Sequence, residues 1–468
     1  MLGIKPMRAH IIGGGFGGLA AAALLIRNAG VSGEDITIYE ADEQLGGGFF
    51  LGGSAESGYN LPGSVFDREF RCTFELLRSI PSASNPSISV TEEFFAFNTG
   101  EPYHDRAHIL DREGRVVHGP RFGLTLGDGI SLARVLLTPE AMLDGRRIME
   151  FFSRRFFSTE FWLLWSTIMG SLPEHSAIEF RRYMNRFLYL FGHLSDMTGV
   201  MRTPINQHQA FIEPLVAWLR PRGVNFLTDA FVRDIAFAPS PGRMTVDRLD
   251  YTRGGSLTSV AVAPEDLVLV TTGSQAADLS AGSMTEAPRP RPNGRSWALW
   301  KRLAEGRPEF GKPDAFFGEA QIPLSRWVTF TVTDTGAEFI DQMSALTGSE
   351  PGRGGLVTLK STSRKSSASR PVRVSGGATA CIRNAPAILC GNAWINAPAR
   401  RSWRRRCGTS GSTGTWPQSW RHRFACLATC PTSTTSGCPV AAATGLLQFQ
   451  RGQRISDSSA STSRFLGK

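Results

Sequence analysis

Hydrophobic and polar positions in the first 40 residues follow a strand–helix–strand order. A short apolar run at 10–12 stops at glycine, residues 19–26 are Ala- and Leu-rich, and residues 35–40 (DITIYE) alternate. Residues 46–63 are glycine-rich and read as loop. A helix is expected at 68–80, with Phe70, Phe74 and Leu77 on one face, and a hairpin at 107–117 around Glu113-Gly114. Residues 131–200 are mostly helical, rich in Phe, Leu, Trp and Arg, and 211–219 form another apolar helix. Strand, turn and strand follow at 224–237, then a buried strand at 266–270 that ends in Thr271-Thr272-Gly273. After a loop at 282–295, strands are expected at 327–333 and 355–359. Helices interleaved with strands predict an α/β fold. Beyond Lys360 neither period persists.

With 468 residues, 41% apolar and 20% charged, the chain can bury two or three compact cores. That composition excludes collagen, a wholly disordered chain and a small disulfide scaffold. No stretch approaches the ~20 apolar residues of a membrane span, and the N-terminus lacks a signal-peptide layout. A cytoplasmic protein is therefore expected. The net charge of +10 is unevenly placed. Residues 361–468 carry 16 Lys and Arg against one acid, Asp457, whereas residues 1–360 carry 35 basic and 40 acidic residues. Cysteine divides the same way, with Cys72 in the body and six between Cys381 and Cys438. A single cysteine in 360 residues suits a reducing compartment.

The chemistry is concentrated in Gly13-Gly14-Gly15-Phe16-Gly17-Gly18, a G-x-G-x-x-G between strand and helix. Gly13 permits a tight turn, Gly15 lets backbone N–H groups approach a pyrophosphate, and Gly18 lets helix and strand pack closely. Glu40 ends the second strand, where a carboxylate can accept from a ribose hydroxyl. The pair Gly46-Gly47 follows at once. A dinucleotide cofactor is expected, and FAD is favoured over NAD by three features: the N-terminal position of the motif, the second glycine pair, and the late strand that ends at Thr272 and Gly273. The strand pair near Val232 is expected to cover the adenine. An ordinary β-turn remains an alternative for the Thr-Thr-Gly segment.

Further along, the chain resembles the oleate hydratases, FAD-dependent fatty acid hydratases once called myosin-cross-reactive antigens. The resemblance rests on residues 72–82 (CTFELLRSIPS), Phe161, Trp162, Trp165, His175, Ser176, Ala177, Glu179, Arg182, Tyr183, Arg186, Phe187, Arg202, Thr203, Asn206 and Gln207. It continues through 214–219, 297–301 (WALWK) and 347–358. It implies a Rossmann-type, two-dinucleotide-binding-domain flavoprotein with a mixed α+β substrate domain and helical insertions. The segments would be an FAD-binding part at 1–58, a substrate-binding helical region at 59–200 and a return to the FAD domain at 201–281. Substrate-domain strands would follow at 282–360, then an aberrant, disordered basic tail at 361–468. The implied reaction adds water to the cis double bond of an unsaturated fatty acid, with no net redox. Tyr183 takes the position of the family's proton donor, and Asn206 and Gln207 fall at the substrate site. On its own, Tyr183 reads equally as a core tyrosine, and Gln207 as a cap or loop amide.

Departures from the pattern matter. Val65 stands where the family's water-activating glutamate usually sits, in the substrate-binding stretch. Asp67 and Glu69 lie nearby but read as solvated carboxylates. His208 replaces a family tyrosine. Together, Val65 and the tail put activity in doubt and leave open a degenerate flavoprotein that binds fatty acid without turning it over. An FAD oxidoreductase of amine-oxidase or desaturase type is the other alternative. The aromatic stretch at 151–165 reads as core packing, an acyl tunnel wall, or a peripheral contact with a membrane surface. No metal site is expected: His104 and His108 are separated by a turn, and Cys407, Cys426, Cys430, Cys438 and His422 lack zinc-site spacing. Loss of acids with gain of Arg, Ser, Cys and Trp beyond 360 is what a shifted reading frame of a GC-rich gene would give. Nucleic acid is not an expected partner.

Overall fold

The computed structural model describes residues 7–49, 66–102, 107–110, 116–117, 120–239, 244–273, 294–319, 341 and 344–345, and the short strands given below. The chain opens with β1 (Ala9–Ile12), α1 (Phe16–Ala29) and β2 (Ile36–Tyr39). The expected loop after β2 contains a small antiparallel pair, β3 (Gly52–Ser54) and β4 (Gly58–Asn60). Helices α2 (Arg71–Leu77) and α3 (Val90–Gly100) follow, then the hairpin β5 (His108–Leu110) and β6 (Val116–Val117). The helical stretch holds α4 (Leu126–Leu137), α5 (Glu140–Leu143), α6 (Glu160–Met169), α7 (Ala177–Arg186) and α8 (Glu213–Leu219). Strands β7 (Asn225–Leu227), β8 (Ala230–Ala238), β9 (Thr245–Arg253), β10 (Ser256–Ala261), β11 (Leu267–Val270) and β12 (Ser280–Gly282) come next. Helices α9 (Arg295–Ala304) and α10 (Asp314–Phe317) precede β13 (Thr329–Thr333) and β14 (Val357–Leu359). Beyond 360 the described residues are β15 (Thr379–Ile382), β16 (Ala385–Ile388), β17 (Cys426–Cys430) and β18 (Leu447–Phe449).

The central sheet runs β18-β11-β1-β2-β7. Strands β11, β1, β2 and β7 are parallel, with Ala9 opposite both Leu267 and Ile36, and β18 is antiparallel at one edge. Every residue of β1 and β11 is buried, as a sheet covered on both faces requires. One face packs on α1, α8 and the rings of Phe66, Phe74, Phe94 and Phe211. The other packs on the β8–β9 layer and on Leu299 and Leu303 of α9. The expected strand-turn-strand at 224–237 is present, but its strands join different sheets: β7 pairs with β2, and β8 with β9.

A third core is helical and aromatic. Phe156, Phe161, Trp162, Trp165 and Phe180 are fully buried there. An aromatic side chain of this size removes at least ~150 Å² from water, worth about 4 kcal/mol. Local rules fix the ends of these helices. Ser89 and Glu92 form a capping box on α3, Thr125 and Asp128 form another on α4, and the Ser176 hydroxyl caps α7.

Candidate dinucleotide and fatty-acid site

The strand β1 runs into Gly13, whose φ of +108° no L side chain adopts readily. Its N–H donates to the Tyr39 carbonyl at 2.8 Å, which closes the turn between the first two strands. A Cβ on Gly18 would lie 1.9 Å from the Gly13 carbonyl oxygen, so α1 can rest on the turn only through a glycine. Gly15 differs. A Cβ there would meet nothing closer than the Gly47 Cα at 3.7 Å, an ordinary contact. The protein's own packing does not demand glycine at 15, as expected of backbone that faces a ligand. Gly15 is also the N-cap of α1, and no side chain caps that end.

The second glycine pair lies against the first. The Gly46 N–H donates to the Gly14 carbonyl at 2.9 Å, and a Cβ on Gly47 would stand 3.1 Å from the Gly15 Cα. Glu40 is buried, and its Oε2 and Oε1 accept the N–H groups of Gly14 at 2.7 Å and Asp42 at 2.9 Å. Burial raises the Glu40 carboxyl above the usual carboxylate range and outweighs those two hydrogen bonds. A carboxylate offers about four acceptor positions, so capacity remains for a hydroxyl.

On the other side of β1, the Thr271 N–H donates to the Ile12 carbonyl at 2.9 Å. Gly273 approaches Trp300, whose indole N–H donates to the Thr272 carbonyl at 3.0 Å. Thr272 Oγ1 is buried and has no hydrogen-bond partner among the described residues. An orphaned hydroxyl beside a glycine turn that the packing leaves open fits a bound dinucleotide. Val232 sits two residues past Ala230, whose N–H donates to the Glu40 carbonyl at 2.7 Å. The Val232 side chain is packed in the core with Tyr39 and Tyr251, so any contact with an adenine falls to its main chain.

Asn206 serves its own turn: Oδ1 accepts the Gln209 N–H at 2.9 Å, and Nδ2 donates to Gln209 Oε1. Gln207 is buried at the head of a π-helical turn, His208–Ile212. His208 joins this turn to the second glycine pair, because its Nδ1 lies 2.8 Å from the Phe49 carbonyl. Thus Gly13, Gly15, Gly18, Glu40, Gly46, Gly47, Thr272 and Gly273 gather at one end of the central sheet, with 206–208 beside them. Tyr183 lies elsewhere, on α7 in the aromatic core, 8% exposed and stacked on Phe187 with ring centroids 6.3 Å apart. Val65, His104, Cys407, Cys438 and His422 lie outside the described residues.

Two readings need correction. Asp67 is not a solvated carboxylate. It is 2% exposed and bound by Arg186 and Tyr189, partners more than 100 positions away that no local pattern reveals. The aromatic stretch is not a surface helix either, since Phe156, Phe161, Trp162 and Trp165 face inward. Among the described residues, a run of exposed apolar side chains lies earlier, at Leu126 (83% exposed), Ile130, Leu137 (82% exposed) and Met142. No helix among the described residues is long and apolar enough to cross a membrane.

The chain is 30% identical over 367 residues to an oleate hydratase of Streptococcus pyogenes serotype M49 (strain NZ131), covering 76% of this chain and 62% of the relative. It is 30% identical over 373 residues to a linoleate hydratase of Lactiplantibacillus plantarum, covering 74% and 65%. The chain therefore spans less than two thirds of the length of these relatives. Among solved structures, a putrescine oxidase redesigned in cofactor binding aligns at TM-score 0.49 and 13% identity, over 89% of this chain and 86% of the oxidase. The architecture is α/β, with the parallel sheet and glycine turn of a Rossmann-type dinucleotide-binding fold. The sequence pattern of the MCRA family matches residues 7–373, and the chain belongs to that family.

Proposed function

We propose that this chain is an FAD-binding fatty acid hydratase that adds water to the cis double bond of an unsaturated fatty acid such as oleate. Its relatives are hydratases of oleate and linoleate. The observation that carries the reading is the placement of Tyr183: a phenol on α7, buried in an aromatic core. Apolar walls suit an acyl chain. A phenol with a reference pKa of ~10 holds its proton at neutral pH. It would donate that proton to one alkene carbon while the oxygen of water bonds to the other, and the proton released by that water would pass through solvent back to the tyrosinate, so that one water is added and the phenol is restored. FAD would rest on Gly13, Gly15, Gly18, Glu40 and the Gly46-Gly47 pair, with Thr272 and Gly273 on the far side of β1. In this reaction it would undergo no net change of redox state.

The reading includes contact with a lipid surface, the source of the substrate. The exposed Leu126, Ile130, Leu137 and Met142 would carry it, rather than the aromatic stretch.

Tyr183→Phe tests the acid. It keeps the ring and removes the donor, so oleate conversion to its hydroxy product should fall ~10²–10⁴-fold. Mass spectrometry reads the gain of one water, with no electron acceptor consumed. Turnover within threefold of the parent would mean that another group protonates the alkene. A product that has lost hydrogen would replace hydration with oxidation.

A further inference from the structure

Asp67 begins a set of contacts that ends at Tyr183. Its Oδ1 accepts from the Glu69 N–H at 2.7 Å and from Arg186 Nη2 at 3.1 Å, and its Oδ2 accepts from the Tyr189 hydroxyl at 2.5 Å. Three protein donors thus occupy a carboxylate buried at the edge of the sheet-facing core. The segment is anchored from behind, since Phe66 and Met201 exchange backbone hydrogen bonds at 2.8 and 2.7 Å. Arg186 is the last residue of α7, and its guanidinium lies over the rings of Phe70 at 4.8 Å and Phe187 at 4.9 Å. Phe187 closes the helix by donating its N–H to the Tyr183 carbonyl at 2.8 Å, and its ring stacks on the Tyr183 ring at an interplanar angle of 12°.

We propose that Asp67 is a positioning residue for Tyr183: through Arg186 and Tyr189 it fixes the last turn of α7, and through Phe187 the orientation of the phenol. The inference rests on the reading of Tyr183 as proton donor. It separates two roles for a carboxylate so close to Val65. A base that activates water needs a free lone pair aimed at the substrate. Asp67 instead is 2% exposed, and each of its oxygens is turned to a donor from the end of α7 or from the turn that follows it. Its removal should loosen the helix end, and the cost in turnover should come from misplaced chemistry rather than from lost substrate binding.

The test compares the full chain with Asp67→Asn, Arg186→Gln, their double variant, Arg186→Lys and Tyr189→Phe. Tyr189→Phe removes a single hydroxyl from a ring that is 39% exposed, so it should fold even where the charge variants do not. Amide exchange is followed in peptides covering 177–193 and 9–29, beside kcat and KM for oleate. Each charge variant should speed exchange in 177–193 about tenfold and leave 9–29 unchanged, because local opening is controlled by local contacts. The double variant should be no faster than the faster single one, Arg186→Lys should recover much of the protection, and Tyr189→Phe should show a smaller change in the same segment. Turnover should fall about tenfold with KM within about twofold.

Unchanged exchange at 177–193 in both Asp67→Asn and Tyr189→Phe would overturn the brace. Faster exchange with unaltered kcat, in a protein that Tyr183→Phe inactivates, would overturn the positioning role. Turnover retained by Tyr183→Phe would instead remove the acid reading, and the brace would then be judged by exchange alone.

Discussion

His208 Nδ1 lies 2.8 Å from the backbone oxygen of Phe49. A carbonyl only accepts, so Nδ1 carries the hydrogen and the ring is held in that tautomer. The bond spans 159 positions and ties the turn carrying Asn206 and Gln207 to the loop carrying Gly46 and Gly47. The same ring also walls that loop, since a Cβ on Gly46 would come within 3.0 Å of Nδ1. His208 therefore links the expected substrate residues to the expected cofactor loop. His208→Ala should cost about 1 kcal/mol of stability. It should also weaken flavin retention, because the second glycine pair loses its support. Titration of the purified variant with FAD, followed by flavin fluorescence, checks this. An unchanged affinity would mean that the loop is held without the histidine.

Gly15 and Gly18 should behave in opposite ways. Gly18→Ala drives a Cβ into the Gly13 carbonyl at 1.9 Å and should cost roughly 3 kcal/mol as helix and turn separate. Gly15→Ala meets only the Gly47 Cα at 3.7 Å. It should cost about 1 kcal/mol or less, through a poorer N-cap. Flavin content should nevertheless drop sharply, since the new methyl occupies the space a pyrophosphate needs. Denaturation of the flavin-free proteins, set against flavin absorbance after purification, separates the two effects. Full flavin in Gly15→Ala would remove the phosphate from that position.

Backbone-driven features were the most legible in the sequence. The turn at Gly13 and the tight packing of Gly18 depend on residues within one β-α-β unit, so the glycine spacing was enough to infer them. Asp67 was not legible, because its burial depends on Arg186 and Tyr189, which come from a distant helix end. The β9–β10 hairpin was missed for another reason. Its turn is the Gly254-Gly255 pair, but β10 is mostly exposed, so the apolar alternation that marks a half-buried strand is weak. The aromatic stretch shows a third limit. Rings and arginines left core packing, a tunnel wall and a surface contact open, and Phe161 and Trp162 are fully buried, as core packing expects; residue type alone does not say which side of a helix meets a partner.

Lipid contact makes a prediction that the aromatic reading does not. Leu126, Ile130 and Leu137 are exposed along α4, with Arg134 and Arg147 also exposed in this region. Leu126→Ser with Leu137→Ser should leave folding intact and lower binding to anionic phospholipid vesicles about tenfold, as the apolar area available for insertion shrinks. Flotation of vesicles with bound protein measures it. Equal binding by parent and variant would move the contact away from α4.

Glu40 sets the sign of a pH dependence. Burial is the largest influence on its carboxyl and raises it above the usual range, against hydrogen bonds from Asp42 and Gly14. In the unfolded chain the same group titrates near ~4.3. Below that value both states hold the proton, and the contribution of Glu40 to stability is fully present. As pH rises through the folded value, the folded state must accept a buried charge, and that contribution is lost. The stability of the parent relative to Glu40→Gln should therefore decline as pH rises from about 4 through the raised folded value, with a slope of up to ~1.4 kcal/mol per pH unit between the two values. Urea denaturation of both flavin-free proteins across that range provides the comparison. A difference that grows with pH would show that the Gly14 and Asp42 amides outweigh burial, so that the glycine loop holds Glu40 as a charged group.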